Sequence, residues 1–470
     1  MSRDGLDHAR TKMSDAGVHP TAIDVFSRFY DLLEAGQTGT IPESTVSPLT
    51  DVPRHADLDV DPEVARDALA STAIIKLNGG LGTSMGMDRA KSLLTVREDG
   101  PDGRSLSFLD VIVGQVRAAR RATGAPLPLV VMNSFSTQDD TLEALGRFPD
   151  LRVDGLPLDF LQNREPKLTA DGLEPVEWPS SPALEWCPPG HGDLYTAMYA
   201  SGVLRALLDA GYRYASVSNS DNLGAAPDAT MAGWFASSGA PFAAEVARRT
   251  PADRKGGHLV VRTDDGRLVL RESAQTPSED ADAAGDIEKH RYFNTNNLWL
   301  DLEALSTELD RTGGVLELPL IRNDKTVDPS DPSSTKVVQI ESAMGAAVEV
   351  FDGAVAIEID RSRFLPVKTT SDLLLLRSDV YALDEDYRLV AQVDAPLITL
   401  SSAYKLVHDF DARFPNGAPS LREARALTVD GDWLFGADVR VRGEAVLSAE
   451  GGVVPDRSEV GPDGLASRDA

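Results

Sequence analysis

Thr72-Ala-Ile-Ile-Lys-Leu-Asn-Gly-Gly-Leu-Gly-Thr-Ser-Met-Gly86, followed by Met-Asp-Arg-Ala-Lys91-Ser92, organises the rest of the chain. It opens on an apolar run, Ala73, Ile74, Ile75 and Leu77, long enough for one buried strand. Four glycines follow within eight residues: Gly79, Gly80, Gly82 and Gly86. Glycines at that density disfavour a helix or a strand interior, because each loses backbone entropy on folding. Their use is close approach. Without Cβ atoms, successive N–H groups can turn inward and cradle an anion. A strand feeding a glycine loop is where an α/β sheet holds phosphates. The pattern departs from both common phosphate fingerprints. Met85 stands where the dinucleotide motif needs its third glycine, and Met85 and Ala90 stand where the P-loop needs glycines ahead of Lys91-Ser92. Taken alone, the stretch reads equally well as a phosphate cradle or as a glycine-rich turn beside a solvated lysine.

Working outward, strand and helix patterns alternate. Helix is expected over 107–116, strand over 127–132, helix over 138–145 and 195–208, strand over 214–217, and helix around 231–235. That alternation predicts an α/β class with a mixed, mostly parallel sheet and flanking helices. A more β-rich run follows at 241–247, 257–261, 268–270 and 296–300. Upstream, Ile23, Val25, Phe26, Phe29, Tyr30, Leu32 and Leu33 give residues 20–34 the wide apolar stripe of a helix. After Tyr387 the texture changes. Leu427-Thr-Val-Asp-Gly-Asp-Trp-Leu-Phe-Gly-Ala-Asp-Val-Arg-Val-Arg-Gly443 spaces glycines between short β-type runs, a rhythm suited to a β-helix or another small β solenoid. The expected division is an N-terminal helical region (1–69), a catalytic domain (70–386) and a C-terminal β domain (387–470) whose last twenty residues fray.

The chain has 470 residues, enough for one large core and smaller companions. A net charge of −28 repels nucleic acid, so no such partner is expected, and any site for anionic ligands must be locally positive. Cys187 is the single cysteine, which rules out an internal disulfide. The first residues lack the apolar segment of a signal peptide, and the longest leucine stretch, Leu373 to Leu376, is far short of a membrane span. The expected location is the cytoplasm, with no membrane partner.

Five further blocks break the tie left by the glycine loop. They are Val131-Met-Asn-Ser-Phe135, Pro188-Pro-Gly-His-Gly-Asp193, Ser218-Asn-Ser-Asp-Asn-Leu-Gly224, Phe293-Asn-Thr-Asn-Asn-Leu-Trp299 and Arg361-Ser-Arg-Phe-Leu-Pro-Val-Lys-Thr-Thr-Ser-Asp372. With the loop, and in this order, they resemble the eukaryotic-type UTP–glucose-1-phosphate uridylyltransferase (UDP-glucose pyrophosphorylase) family across residues 70 to 385. The resemblance implies a Rossmann-like nucleotidyltransferase core and a C-terminal left-handed β-helix. It implies synthesis of UDP-glucose and pyrophosphate from UTP and glucose 1-phosphate, with Mg²⁺ as cofactor. The sugar phosphate would attack the α-phosphorus in line, with no covalent intermediate and no general base. Catalysis of that kind rests on positioning and charge stabilisation. Animal members continue into an assembly strand where this chain has a polar tail. A homo-oligomer through the C-terminal domain is therefore left open.

Carried over residue by residue, the resemblance gives Leu77, Asn78, Gly79 and Gly80 to the nucleotide and its phosphates. Lys91 would neutralise the α-phosphate and the departing pyrophosphate, and Lys368 would bridge the phosphates of both substrates. Asp221, just past a strand's carboxyl end, is the expected Mg²⁺ ligand, since one carboxylate with phosphate oxygens and water suits that hard ion. The bland alternative there is an Asx turn. Asn219 would reach the sugar or the ribose. Gln162 carries an amide that donates and accepts together, as uracil does, and is the expected uracil reader, helped by the backbone of Gly190. His191 is expected to contact phosphate or sugar rather than act as a base. Gly257, Glu272 and Asn296 are the candidates for glucose hydroxyls. The family often has Gly-Pro where this chain has Arg89-Ala90, which touches the loop's shape and not the lysine. Two rivals stand beside this reading. A UDP-N-acetylglucosamine or broad UDP-sugar pyrophosphorylase usually carries Arg near Ser84, and a catalytically dead nucleotide-sugar sensor need not retain Lys91, Asp221 and Lys368 together.

Overall fold

A computed structural model describes residues 4–98, 100, 103–250, 253–254 and 256–467. The apolar run of the quoted stretch is the strand Thr72–Asn78, inside a ten-stranded sheet. Alternation sends Ile74 to one face and Ala73 and Ile75 to the other, and all three are buried. The two faces feed two separate cores. Ile74 joins the helix Phe108–Thr123 and the C-terminal strands, while Ala73 and Ile75 join the helices Pro20–Glu34 and Asp193–Ala200.

Thr72–Asn78 pairs in parallel with Leu129–Asn133 on one side and Tyr214–Asn219 on the other, and Asp159–Leu161 extends the parallel order. Beyond Tyr214–Asn219 the sheet changes. Tyr292–Asp301 runs antiparallel to it, and Phe242–Arg248 and His258–Arg262 run antiparallel to Tyr292–Asp301. The sheet is mixed: the parallel order holds on the glycine-loop side and returns where Phe242–Arg248 pairs in parallel with Val355–Ile359. Parallel neighbours need a crossover of a dozen or more residues, usually a helix. Helices supply it up to Ser238, but between Arg248 and Tyr292 the only α-helix among the described residues is Ala281–Ala284.

The helices Pro20–Glu34 and Gln138–Leu145 stand where their patterns put them. The expected helix over 195–208 is broken into Asp193–Ala200 and Val203–Asp209, because Gly202 sits at φ +77° in the left-handed region. The N-terminal region is not only helical. Val46–Pro48 pairs antiparallel with His258–Arg262 at the sheet's edge, a place that tolerates proline. The helix Pro62–Ala70, capped by Asp61, then delivers the chain to Thr72.

At the other end, Leu397–Leu400, Ser420–Val429, Arg440–Leu447 and Ser458–Gly461 stack in parallel. Trp433–Phe435 and Gly452–Val454 form a second short parallel pair beside them. Leu427, Val441, Val454 and Val460 are buried within the stack. The tail does not fray where expected. Gly464–Ser467 folds back antiparallel on Ser458–Gly461, and only 468–470 fall outside the described residues. Polar composition hid the two buried valines, Val454 and Val460, that hold it. The stack meets the core at several points, among them Asp379, which accepts from Ser420 Oγ at 2.6 Å and from Leu421 N–H at 2.9 Å. Leu400 N–H donates to Ser371 Oγ at 3.2 Å, and Leu406 packs over Gly86. No helix among the described residues is long and apolar enough to cross a membrane.

Candidate active site

The carboxyl ends of Thr72–Asn78 and Tyr214–Asn219 open into a cleft of about 470 Å³. Ligands of α/β sheets bind at such ends. Leu77, Gly79, Gly80, Lys91, Gln162, Gly190, His191, Asn219 and Asp221 all line it. Distant parts of the sequence are thus gathered at one place.

The loop's shape follows from its glycines. Gly82 and Gly86 lie at φ +69° and +74°, bracketing one tight turn, Thr83–Met85, whose Met85 is buried. Lys91 N–H then donates to Gly80 O at 3.1 Å, folding the lysine back over the loop. Gly79 is required for contact: a Cβ there would stand 2.4 Å from Oε1 of Gln162. Gln162 continues the strand Asp159–Leu161, its N–H donating to Asn133 O at 2.8 Å.

Asn78 is the exception among the loop residues. Its side chain is 2% exposed and lies beneath the cleft. Nδ2 donates to Asn133 Oδ1 and Thr141 Oγ1 at 2.9 Å each, and Oδ1 accepts from Ser220 Oγ at 3.0 Å. Substrate contact through this side chain is not what the structure shows; it braces the strand ends.

Lys91 and Asp221 meet directly, Nζ to Oδ2 at 2.7 Å, and Lys91 also donates to Val367 O. The segment before Lys368 is clamped alongside. Val367 N–H donates to Asp221 O at 3.3 Å, and Leu365 N–H to Asn222 Oδ1 at 2.8 Å. Lys368 itself is exposed and lies outside the cleft lining, its Nζ 5.6 Å from the Phe293 ring. There it faces Glu272, whose carboxyl is pushed up by burial and pulled down by the Lys368 charge. A Cβ on Gly257 would stand 2.6 Å from Glu272 Oε1. Asn294 connects this group to Asn296, donating N–H to Gly257 O at 2.9 Å and Nδ2 to Asn296 Oδ1 at 3.0 Å. Asn296 sits at φ +58°, where the ladder to Phe242–Arg248 slips its register. Gly257, Glu272, Asn296 and Lys368 thus form a second group beside the first.

Burial pushes the His191 imidazole down to about 4, so it is neutral near pH 7. Its Nδ1 accepts the N–H of Met344 at 2.9 Å, which puts the proton on Nε2. His191 therefore presents a donor. The preceding Gly190 lies at φ +78°, and a Cβ would stand 2.6 Å from Ser342 O. Gly190→Ala should cost at least about 1–2 kcal/mol from the left-handed backbone alone, with the clash added. A thermal melt checks this, and an unchanged melting temperature would mean the loop yields freely.

Sequence reading missed what lies below. Lys76 is 2% exposed, with Nζ donating to Ser218 Oγ at 2.7 Å and Ala225 O at 2.8 Å. Burial pushes its ammonium down to about 7. Nearby, Glu245 accepts from Arg363 at 2.8 Å, Trp299 Nε1 at 2.9 Å and Asn297 Nδ2 at 3.0 Å. A signal existed. Lys76 shares a strand face with Ile74, so a lysine there had to be buried and paired.

Comparison with known proteins agrees with this geometry. Residues 23–442 match the family model described as UTP–glucose-1-phosphate uridylyltransferase. The enzyme of that name from Solanum tuberosum is 37% identical over 462 residues, covering 95% of this chain and 93% of its own length. The one from Saccharomyces cerevisiae is 40% identical over 391 residues, covering 82% and 75%. A UDP-glucose pyrophosphorylase variant from Leishmania major, solved with UDP-glucose, superposes with a TM-score of 0.90 at 40% identity, covering 98% of this chain and 99% of that one. The glycine loop, the five blocks that follow it in order and the whole fold lead to one family: the chain belongs to the UTP–glucose-1-phosphate uridylyltransferases.

Proposed function

We propose that this cleft makes UDP-glucose and pyrophosphate from UTP and glucose 1-phosphate, in the cytoplasm, by direct in-line attack on the α-phosphate. The observation that carries the reading is the meeting of Lys91, Asp221 and the Val367–Lys368 segment beside the glycine loop. Both substrates are anions and the protein carries a net charge of −28, so these groups must supply the local positive field. Loop N–H groups hold the nucleotide phosphates, and Lys91 counters charge as the pyrophosphate leaves. Lys368 steadies the incoming sugar phosphate from the Glu272 side. Gln162 reads uracil, with Gly190 beside it. Asn219 takes the sugar or ribose, and Gly257, Glu272 and Asn296 take the glucose hydroxyls. His191 donates from Nε2.

The residues present fit Mg²⁺. Among the described residues no group of three or more His, Cys, Asp or Glu gathers as a full metal cage, and Mg²⁺ needs none. It keeps several waters and binds through one or two carboxylates plus substrate phosphates. Asp221 would hold it, and when bound the ion adds positive charge at the phosphates. In this reading the C-terminal stack winds as a left-handed β-helix.

The test is pyrophosphate release with UTP and a panel of sugar 1-phosphates that includes N-acetylglucosamine 1-phosphate. Glucose 1-phosphate should be preferred; no release with it would overturn the proposal. Gln162→Ala should raise KM for UTP by about 5- to 150-fold, the equivalent of losing a buried hydrogen-bonding group worth roughly 1–3 kcal/mol. KM for glucose 1-phosphate should stay put. An unmoved KM for UTP would return Gln162 to a purely structural role.

A further inference from the structure

Asp193 begins the helix Asp193–Ala200, yet its carboxylate does not cap that helix. It reaches sideways. Oδ2 accepts the backbone N–H of Asn163 at 2.5 Å, and Oδ1 accepts Asn163 Nδ2 at 2.8 Å. Both oxygens are given to a single residue, the one after Gln162. The residue is 5% exposed and faces buried Glu165. Burial pushes it up to about 7 against the pull of the two Asn163 bonds, so the charge is held there at a cost.

The position of Gln162 then follows. Its own N–H is fixed to Asn133 O at 2.8 Å, and the next N–H along the chain is fixed to Asp193. Its Oε1 lies so close to Gly79 that no Cβ fits between them. Backbone pins on both sides set where the side chain leaves the strand, and its amide lies against Gly79 in the cleft lining.

We infer that Asp193 is a positioning residue for base recognition: through Asn163 it sets the angle at which Gln162 meets the pyrimidine, and so helps to select uracil over cytosine. The inference rests on the reading of Gln162 as the uracil contact. Asp193 touches no substrate in this account, and its action is wholly through its neighbour.

Asp193→Asn tests it. The amide keeps the shape, but turns one acceptor into a donor facing a donor of Asn163. KM for UTP should rise about tenfold, which is 1.4 kcal/mol in recognition. Turnover at saturating UTP and KM for glucose 1-phosphate should change less than about twofold, since nothing that meets the sugar has moved. The preference for UTP over CTP should shrink. A general loss of turnover with the UTP to CTP ratio intact would overturn the inference in favour of a merely structural carboxylate. Asn163→Ala, which keeps the backbone bond and loses the side-chain one, should move the same quantities by less. If Asp193→Asn does not fold, Asn163→Ala decides alone: a KM shift confined to UTP supports the inference and no shift overturns it. Gln162→Ala separates the two ideas. If it leaves UTP recognition untouched, the uracil reading fails. If it impairs recognition while Asp193→Asn and Asn163→Ala do not, only the positioning role fails.

Discussion

Lys91→Ala is expected to lower turnover by about 10²–10³-fold at saturating UTP and glucose 1-phosphate, the loss typical of one preorganised charge-stabilising donor. Lys91 is the cation at the mouth of the glycine loop, tied by its own N–H to Gly80 O and by its ammonium to Asp221. It needs no reorganisation when charge builds on the phosphates, which makes such a donor worth more than a mobile one. Stability should barely respond. The side chains of Lys91 and Asp221 are 16% and 22% exposed, so water can reach Asp221 once the lysine is gone. A pair open to solvent contributes about 0–1 kcal/mol. The measurement is steady-state pyrophosphate release beside a thermal melt. Wild-type turnover in a folded variant would remove Lys91 from the chemistry.

The second large effect is on the fold. Arg363→Met should destabilise the protein by about 3–5 kcal/mol, because it leaves a buried carboxylate without its cation. Glu245 is 1% exposed. Burial pushes its carboxyl up, but Arg363 at 2.8 Å, with the Trp299 and Asn297 hydrogen bonds, outweighs that and holds it below its ordinary range. Asp228, 3.1 Å from the same guanidinium, loses a partner too. The sign of the pH dependence follows. A depressed carboxyl contributes stability that is present above its unfolded value and is lost as pH falls through the folded one. The wild-type protein should therefore weaken on acidification below about pH 4, where model carboxylates titrate. In the variant, only the Trp299 and Asn297 hydrogen bonds oppose burial, so Glu245 rises and that contribution is lost at a higher pH than in the wild type. Urea unfolding across pH checks both statements, and a loss under about 1 kcal/mol would show that Glu245 has found another partner.

Much of the frame could be read from local pattern because local pattern is what builds it. The stripe in 20–34 and the apolar period in 138–145 need no tertiary information, and their helices end where the patterns end. The glycine loop was legible because so many glycines have few other uses. Partners far along the chain were not legible. Nothing in Val46-Ser-Pro48 says that His258–Arg262 will take it as an edge strand, and nothing in Tyr292–Asp301 says it will enter antiparallel. At the site, the residues that line the cleft could be named from the resemblance. Asn78 could not be told from its neighbours in sequence. Alternation along a strand decides which side chains meet the cleft, and the last residue points down into a polar cluster instead. The layer beneath, Lys76 with Glu245 and Arg363, comes from three distant segments, and only their meeting explains any of them.

Two of the places where the C-terminal stack meets the core are Ser371 and Gly86. Those two residues close the two segments that carry Lys91 and Lys368: Gly86 ends the loop ahead of Lys91, and Ser371 stands in the first turn of the helix after Lys368. The stack is thus a strut between two arms of a clamp, bearing on both at points outside the cleft lining. Lesions anywhere along the strut, in Leu397–Leu400 or in the Leu406 turn, will loosen the clamp and imitate damage to the lysines themselves. Loss of activity in a random screen will for that reason map to residues far from any phosphate, and distance from the cleft will be a poor guide to importance in this protein.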